Sequence, residues 1–326
     1  MSKLVTIIGG SGFVGRYVAR RMAKDGWRVR VAVRNPNEAL FVKPYGAVGQ
    51  VEPVFCNIRD DASVAAVVDG ADAVVNCVGI LAEVRKNTFD AIQAEGAGRV
   101  ARIAAEAGVA KLVHISAIGA DAESDSEYAK TKAEGEAAIL AAFPSAVILR
   151  PSIVFGTEDE FFNRFAGMTR FSPVLPVVGG NTKFQPVWVD DVAQAAVAAV
   201  DGDAAGVYEL GGPDVATFSE LMQTMLKVIH RRRMIVNIPF GVANIIAGVS
   251  GAVQTLSLGI VPAQITKDQV INLRSDNVVA EGAKGFADLG IVPTDLEAVL
   301  PSYLWRFRPS GQYDAIKDSA KNLKHG

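Results

Sequence analysis

The sequence predicts a doubly wound α/β fold, a parallel sheet with helices on both faces, and three observations predict it. Short apolar runs alternate with helix-length patterns from Leu4 to Leu149, the sequence form of βαβ units. The first run leads straight into a glycine-rich turn that opens a helix, and later helix candidates end beside Gly or Pro; both residues punctuate helices. The 326 residues, half of them hydrophobic and 21% charged, supply a large core and exclude a disordered chain.

Taken in order, strands are expected over 4–8, 28–33, 51–56, 73–77, 111–115 and 146–149, each a short run rich in aliphatic residues. Helices are expected over 14–25, 62–68, 89–107 and 127–142, with Gly26, Gly70, Gly108 and Pro144 standing at or just past their ends. Short connections and right-handed crossovers then leave the doubly wound arrangement as the solution. Beyond it the pattern loosens: a loop over 151–160, a helix over 161–170, a proline- and glycine-rich stretch over 172–181, a strand over 186–189, a helix over 190–200, a strand over 206–210 and a helix over 218–231. The expected division is a nucleotide-binding domain over 1–156 to which 184–212 returns, with a smaller C-terminal lobe from 157–183 and 213–326.

Composition narrows the function classes. With 33 basic and 35 acidic residues the net charge is −2, so no global positive field calls for a nucleic acid. Cys56 and Cys77 sit in apolar runs and read as free thiols of a reducing compartment rather than a disulfide. The stretch 234–266 carries no charge or histidine, but Pro239, Gly241, Gly248, Gly251, Gly259 and Pro262 interrupt it. A buried or interfacial helix fits that pattern better than a membrane span.

The chemistry begins at Gly9-Gly10-Ser11-Gly12-Phe13-Val14-Gly15, which satisfies G-x-x-G-x-x-G from Gly9 and G-x-G-x-x-G from Gly10. Glycines permit the tight turn, let the backbone approach a pyrophosphate and allow close helix packing, while the helix N-terminus offers free N–H groups. Strand, loop and helix in that order predict dinucleotide binding. A carboxylate at the end of the second strand would hold a ribose 2′-OH; Arg34 stands there instead, a cation suited to a 2′-phosphate. NADP(H) is therefore expected over NAD(H). Tyr128 and Lys132, four apart on one helix face, suit a phenol whose ionisation a nearby ammonium favours, and a lysine that also holds the nicotinamide ribose.

At this point the chain resembles the extended or atypical short-chain dehydrogenase/reductase superfamily, through Gly9 to Gly15, Tyr128 and Lys132, the run from Arg150 to Gly156, and Val187-Trp188-Val189-Asp190-Asp191. The resemblance implies a Rossmann fold and carries cofactor contact onto Asn57, Ile58, Val78, Gly79, Ser116 and Pro151. That superfamily places a serine or threonine hydroxyl shortly after the fifth strand. Here Ser116 is followed by Ala117 and Ile118, which leaves Tyr128 and Lys132 as vestigial or alternative catalytic residues. The longer run from Phe143 to Asp159, Phe161-Phe162-Asn163-Arg164-Phe165, Gln185-Pro186-Val187 and Tyr303-Leu304-Trp305-Arg306-Phe307 is similar to the NADPH-binding accessory subunits of respiratory complex I. That likeness implies a peripheral-arm protein near the quinone site and membrane surface. It also implies complex I subunits as partners, and the cytoplasmic face of a bacterial inner membrane, or the matrix side for a processed chain.

His230-Arg231-Arg232-Arg233 stands just before the uncharged stretch. A basic run beside an apolar segment fits an anionic lipid surface or a hydrophobic subunit contact, and it equally fits an ordinary helix end facing water. Within 240–259, Ser250, Gln254 and Ser257 form one polar stripe on an otherwise apolar helix. Trp188, Trp305 and His114 read as packing residues, and no His/Cys spacing suggests a metal. Three readings stay open: the accessory subunit, an NADP(H)-dependent reductase or epimerase acting on a small carbonyl or sugar-nucleotide-type substrate, and an NADP(H)-sensing regulator.

Overall fold

A computed structural model describes residues 3–256 and 266–313. The first half alternates as expected: β1 (Leu4–Ile8), α1 (Phe13–Lys24), β2 (Arg28–Val33), β3 (Val51–Phe55), α2 (Asp61–Val68), β4 (Ala73–Asn76), α3 (Glu95–Glu106), β5 (Lys111–Ile115), α4 (Glu127–Ala142) and β6 (Val147–Pro151). The second half contributes β7 (Val154–Phe155), α5 (Phe162–Met168), β8 (Val174–Val178), β9 (Lys183–Phe184), β10 (Val187–Trp188), α6 (Val189–Asp201), β11 (Gly206–Leu210), β12 (Ala216–Thr217) and α7 (Phe218–Val228). It closes with β13 (Met234–Ile238), α8 (Phe240–Leu256), α9 (Lys267–Asn272) and α10 (Leu296–Leu304).

Seven strands form one parallel sheet in the order β3-β2-β1-β4-β5-β6-β11. Both faces are covered, so its strands are apolar on both sides. On one face Val5, Ile7, Val31, Val113 and Leu149 pack with Val18 and Met22 of α1 and Val192 and Ala196 of α6. On the other, Ile8, Val74, Leu112 and Ile148 meet Val64 of α2, Val100 of α3 and Ile139 of α4. Arg21 clamps Asp190 through two bonds of 2.8 Å and so ties α1 to α6. The chain leaves β1 toward β2 on one side, while β4 lies on the other. This switch of direction opens a crevice at the carboxyl ends of the strands.

The C-terminal lobe has its own core, in which Phe155, Phe162, Leu175, Phe184, Phe218, Met222 and Leu304 are buried together. Phe161 and Phe218 stack at 5.3 Å, and Phe165 and Phe184 meet Phe218 edge-on at 5.4 and 5.6 Å, the geometries aromatic quadrupoles favour.

Several expectations need correction. The expected strand at 186–189 is only Val187–Trp188 and pairs with β7 rather than with the main sheet. The stretch 172–181 holds β8, and 234–238, expected within a helical block, is β13, which pairs with it in parallel. The helix expected to reach Arg231 stops at Val228, and His230 takes a left-handed φ of 54° that breaks it. Asp90–Ala94, expected as ordinary helix, is a π-turn ahead of α3, and Pro36–Tyr45 forms 3-10 turns. Trp188 packs on the lobe core, whereas Trp305 is 39% exposed. No helix among the described residues is long and apolar enough to cross a membrane. The expected polar stripe of Ser250, Gln254 and Ser257 lies outside the described side chains.

Candidate functional site: a dinucleotide crevice

The glycine loop is built by sterics. Gly9 has φ +79°, and a Cβ on Gly15 would stand 2.4 Å from the Gly9 carbonyl oxygen and 2.8 Å from Gly10 Cα. A Cβ on Gly10 would meet the Ile7 carbonyl at 3.0 Å. Only glycine lets loop and helix close this tightly. Gly12 caps α1 with no side-chain hydrogen bond, so the first-turn N–H groups and the positive end of the helix face the crevice. Ser11, Phe13 and Val14 are half-buried, and the Phe13 ring lies against Gly156. Sequence reasoning missed Arg16. It donates to the Ser11 carbonyl at 3.0 Å and the Gly12 carbonyl at 3.2 Å and pairs with Glu158 at 3.4 Å, bracing the loop from outside.

Arg34 stands exposed at the end of β2 and makes no hydrogen bond or ion pair among the described residues. Asn57 follows β3, where its side chain accepts from Arg59 N at 3.2 Å, while Ile58 turns into the core toward Gly96. Across the switch point, a Cβ on Gly9 would touch Val78 Cγ2 at 3.0 Å, and one on Gly79 would lie 3.5 Å from Lys132 Nζ. The fold thus gathers the glycine loop, Val78, Gly79 and Lys132 at the carboxyl ends of β1 and β4. Arg34, Asn57 and Ile58 lie beyond β2 and β3, on the other arm of the crevice.

Lys132 is buried and donates to the Ile115 carbonyl at 3.3 Å. Burial brings its ammonium down from the ordinary 10.5 to about 8. The expectation that this ammonium favours a Tyr128 phenolate is not met: burial and then the Asp268 carboxylate push the phenol up to about 12. At neutral pH Tyr128 is a proton donor, its ring edge-on to Phe89 at 5.8 Å. Near Lys132, His114 is buried with neither ring nitrogen bonded, and burial followed by Lys132 holds it neutral, well below 6.5. The free thiols Cys56 and Cys77 are pushed up by burial to about 11 and about 12, and neither forms a disulfide.

Because the unfolded chain binds a proton on Lys132 that the folded chain releases above about 8, stability contributed by this group is lowest below that pH and rises toward 10.5. Between pH 8 and 9 the protein is expected to gain about 1 kcal/mol relative to Lys132→Met, a difference in which the unfolded-state ionisation of the two thiols, common to both proteins, cancels. Urea unfolding at the two pH values measures it.

Ser116 does not present a free hydroxyl. Its Oγ donates to Glu136, which also takes three bonds from Arg150, the shortest 2.6 Å, while Arg150 reaches Glu209 at 3.5 Å. Ile118, two residues on, is buried; its N donates to the Pro151 carbonyl at 3.0 Å, and its carbonyl accepts from Asn277 at 3.1 Å. Asn277 also accepts from Ser152 Oγ at 2.7 Å, and Asp268 of α9 accepts from Ser126 Oγ at 3.0 Å. Residues 266–277 therefore run from the cap of α4 to the ends of β5 and β6. None of Glu136, Asp268 and Asn277 was singled out by the sequence.

Cradle, crossover order and switch-point crevice define a dinucleotide-binding Rossmann protein. The chain belongs to the NAD dependent epimerase/dehydratase family, whose model matches residues 5–211; a nicotinamide dinucleotide is the cofactor class of that family. Within it, the chain is 36% identical over 320 residues to NADH dehydrogenase (ubiquinone) 1 alpha subcomplex subunit 9, mitochondrial, of Arabidopsis thaliana, covering 94% of this chain and 79% of that protein. It is 31% identical to the ceramide reductase of Caulobacter vibrioides over 72% of this chain and 74% of the reductase. The UDP-glucose 4-epimerase of Thermotoga maritima superposes with a TM-score of 0.69 at 18% identity, covering 94% of this chain and 99% of the epimerase, a likeness of fold.

Proposed function

We propose that this chain is an accessory subunit of NADH:ubiquinone oxidoreductase that holds NADP(H) for structure or regulation without turning it over. One observation carries the reading: the dinucleotide cradle is complete, while the hydroxyl that substrate chemistry needs is missing. Ser116 is bonded to Glu136, and the following positions are Ala117 and Ile118. The likeness to the Arabidopsis subunit over nearly the whole chain supports the complex.

In this reading the pyrophosphate lies on Gly9 to Gly15 and the N-terminus of α1, Arg34 takes the 2′-phosphate, and Asn57 and Ile58 border the adenine. Val78, Gly79 and Pro151 line the nicotinamide end, where Lys132 and Tyr128 hold the ribose. When bound, the nicotinamide supplies hydride chemistry; Tyr128 and Lys132, both protonated at neutral pH, are the side chains at that end able to give a proton. Residues 1–156 with 184–212 make the nucleotide domain, and the described parts of 157–183 and 213–313 make a partner-facing lobe, with Phe286 and Ile291 returning to the sheet core. The chain sits peripherally, on the side of the membrane that carries the complex's peripheral arm and quinone entrance.

A reductase is the second reading, favoured by the intact Tyr128 and Lys132 pair and by the likeness to ceramide reductase. Purification from native membranes separates the two. Co-elution with the complex, retained NADPH and no oxidation by quinones or carbonyls are expected; rapid turnover by a solitary protein overturns the first reading. Arg34→Asp is expected to weaken NADPH binding by roughly tenfold to hundredfold and to spare NADH, since a charge-assisted contact becomes a repulsion. Titration calorimetry with both nucleotides measures it.

A further inference from the structure

The chain leaves β4 through Val78 and Gly79, beside the glycine loop, and makes an excursion over 80–89 before the π-turn and α3. Both ends of the excursion are fastened. The buried Gln93 donates from Nε2 to the Ile80 carbonyl at 2.8 Å. The Phe89 N–H donates to Glu83 Oε1 at 2.8 Å, and the Phe89 ring is buried. Between these ties lies a tight turn in which Val84 and Asn87 exchange backbone bonds of 3.1 and 3.0 Å. Arg85 in that turn takes a left-handed φ of 54°, which a residue with a Cβ adopts only at a cost. Residues 81–86 are all exposed. With no side chain of 81–86 in the core, the bonds that cross to the turn decide how firmly it sits.

One such bond comes from the other arm of the crevice: Arg59 Nη1 donates to the Lys86 carbonyl at 2.9 Å. Arg59 stands on a firm floor. Its N–H donates to Asn57 Oδ1 at 3.2 Å, the Asn57 N–H donates to Ser63 Oγ at 2.9 Å, and Arg99 donates to the Ile58 carbonyl at 3.1 Å. The Arg59 side chain therefore ties a braced segment after β3 to an exposed, strained turn after β4. A bond from a charged donor to a neutral carbonyl is strong enough to hold such a turn and weak enough to break often.

We propose that 80–89 is a clasp over the adenine half of the crevice, latched by Arg59 and closed at its base by Glu83, whose opening sets the rate at which a bound dinucleotide leaves. The inference rests on the reading that a dinucleotide fills the crevice with its adenine beside Asn57 and Ile58, and is indifferent to whether that dinucleotide is turned over. Arg59 and Glu83 are positioning residues, acting through the turn.

Stopped-flow displacement of bound NADPH from the full chain, with NADH in parallel, tests it. Arg59→Ala is expected to raise the dissociation rate roughly fivefold or more, with Arg59→Lys intermediate, and Glu83→Ala to raise it roughly threefold or more. The two alanine variants change the charge in opposite directions, so attraction of an anionic nucleotide by charge alone would move them oppositely. Hydrogen exchange gives the second readout. Dinucleotide binding is expected to slow exchange of the 81–88 amides in the wild type and to slow it less in both alanine variants, with exchange in the main sheet unchanged as evidence that the fold is intact. An unchanged dissociation rate in Arg59→Ala overturns the clasp. Slower association in Arg59→Ala and faster association in Glu83→Ala, with 81–88 exchange as in the wild type, also overturns it, by assigning both residues to charge. Failure of the wild type to bind either nucleotide overturns the cofactor reading itself, and the clasp with it.

Discussion

Gly15→Ala is expected to abolish dinucleotide retention and to destabilise the protein by about 2–3 kcal/mol, the upper part of the range for forced overpacking. The added methyl would stand 2.4 Å from the Gly9 carbonyl and 2.8 Å from Gly10 Cα, and both obstacles are backbone atoms that no rotamer change can clear. Relief requires α1 to move away from β1, which withdraws the helix N-terminus from the pyrophosphate and opens the α1 contacts with Val5 and Ile7. Gly26→Ala is the contrast: its Cβ would meet nothing, so its cost comes only from its positive φ, about 1 kcal/mol, and nucleotide retention is expected to persist. Thermal unfolding and the nucleotide content of the purified variants measure both effects.

Glu136→Ala is expected to cost about 3–5 kcal/mol, the usual loss when one member of a buried ion pair is removed. Glu136 is 4% exposed and accepts from Ser116 and Arg150 together. Its removal leaves the Arg150 guanidinium to the more distant Glu209 and the Ser116 hydroxyl without its acceptor. Glu136→Gln, which keeps an acceptor and the volume, is expected to lose less than Glu136→Ala, and denaturant titration of the three proteins ranks them. Glu136→Ala also frees the Ser116 hydroxyl for a substrate oxygen, so carbonyl reduction gained by Glu136→Ala and not by Glu136→Gln would favour the reductase reading.

The fold was legible where its determinants are local. Periodicity and glycine punctuation placed the first six strands to within about a residue or two, because strands buried on both faces write continuous apolar runs. The pair of β8 and β13 was hidden because Pro176 interrupts one strand and the other merges with the apolar residues of α8, so composition shows no boundary. His230, a non-glycine residue with left-handed φ, likewise gives no sign in sequence that α7 stops early. In the site, the glycine loop could be read because seven consecutive residues carry it. Arg34 could be read as a missing carboxylate. The ties of Glu136 to Arg150 and of Asn277 to Ile118 join residues 14 and 159 positions apart, and no local pattern encodes such meetings. The phenol of Tyr128 was misjudged because its burial, and then the approach of Asp268 from far along the chain, raise it, and neither is written in the local sequence.

Asn277 holds the Ile118 carbonyl and the Ser152 hydroxyl at the ends of β5 and β6, so attachment of the lobe and shape of the crevice share one set of bonds. A ligand or partner that favoured this arrangement would act on the same bonds. Whatever a bound dinucleotide contributes to keeping those bonds closed, it contributes to fastening the lobe. By reciprocity, a partner that grips the lobe in its closed position tightens the dinucleotide by the same factor. In the accessory-subunit reading, a protein so built would pass the filling of its crevice to its neighbours without any chemical change in what it holds.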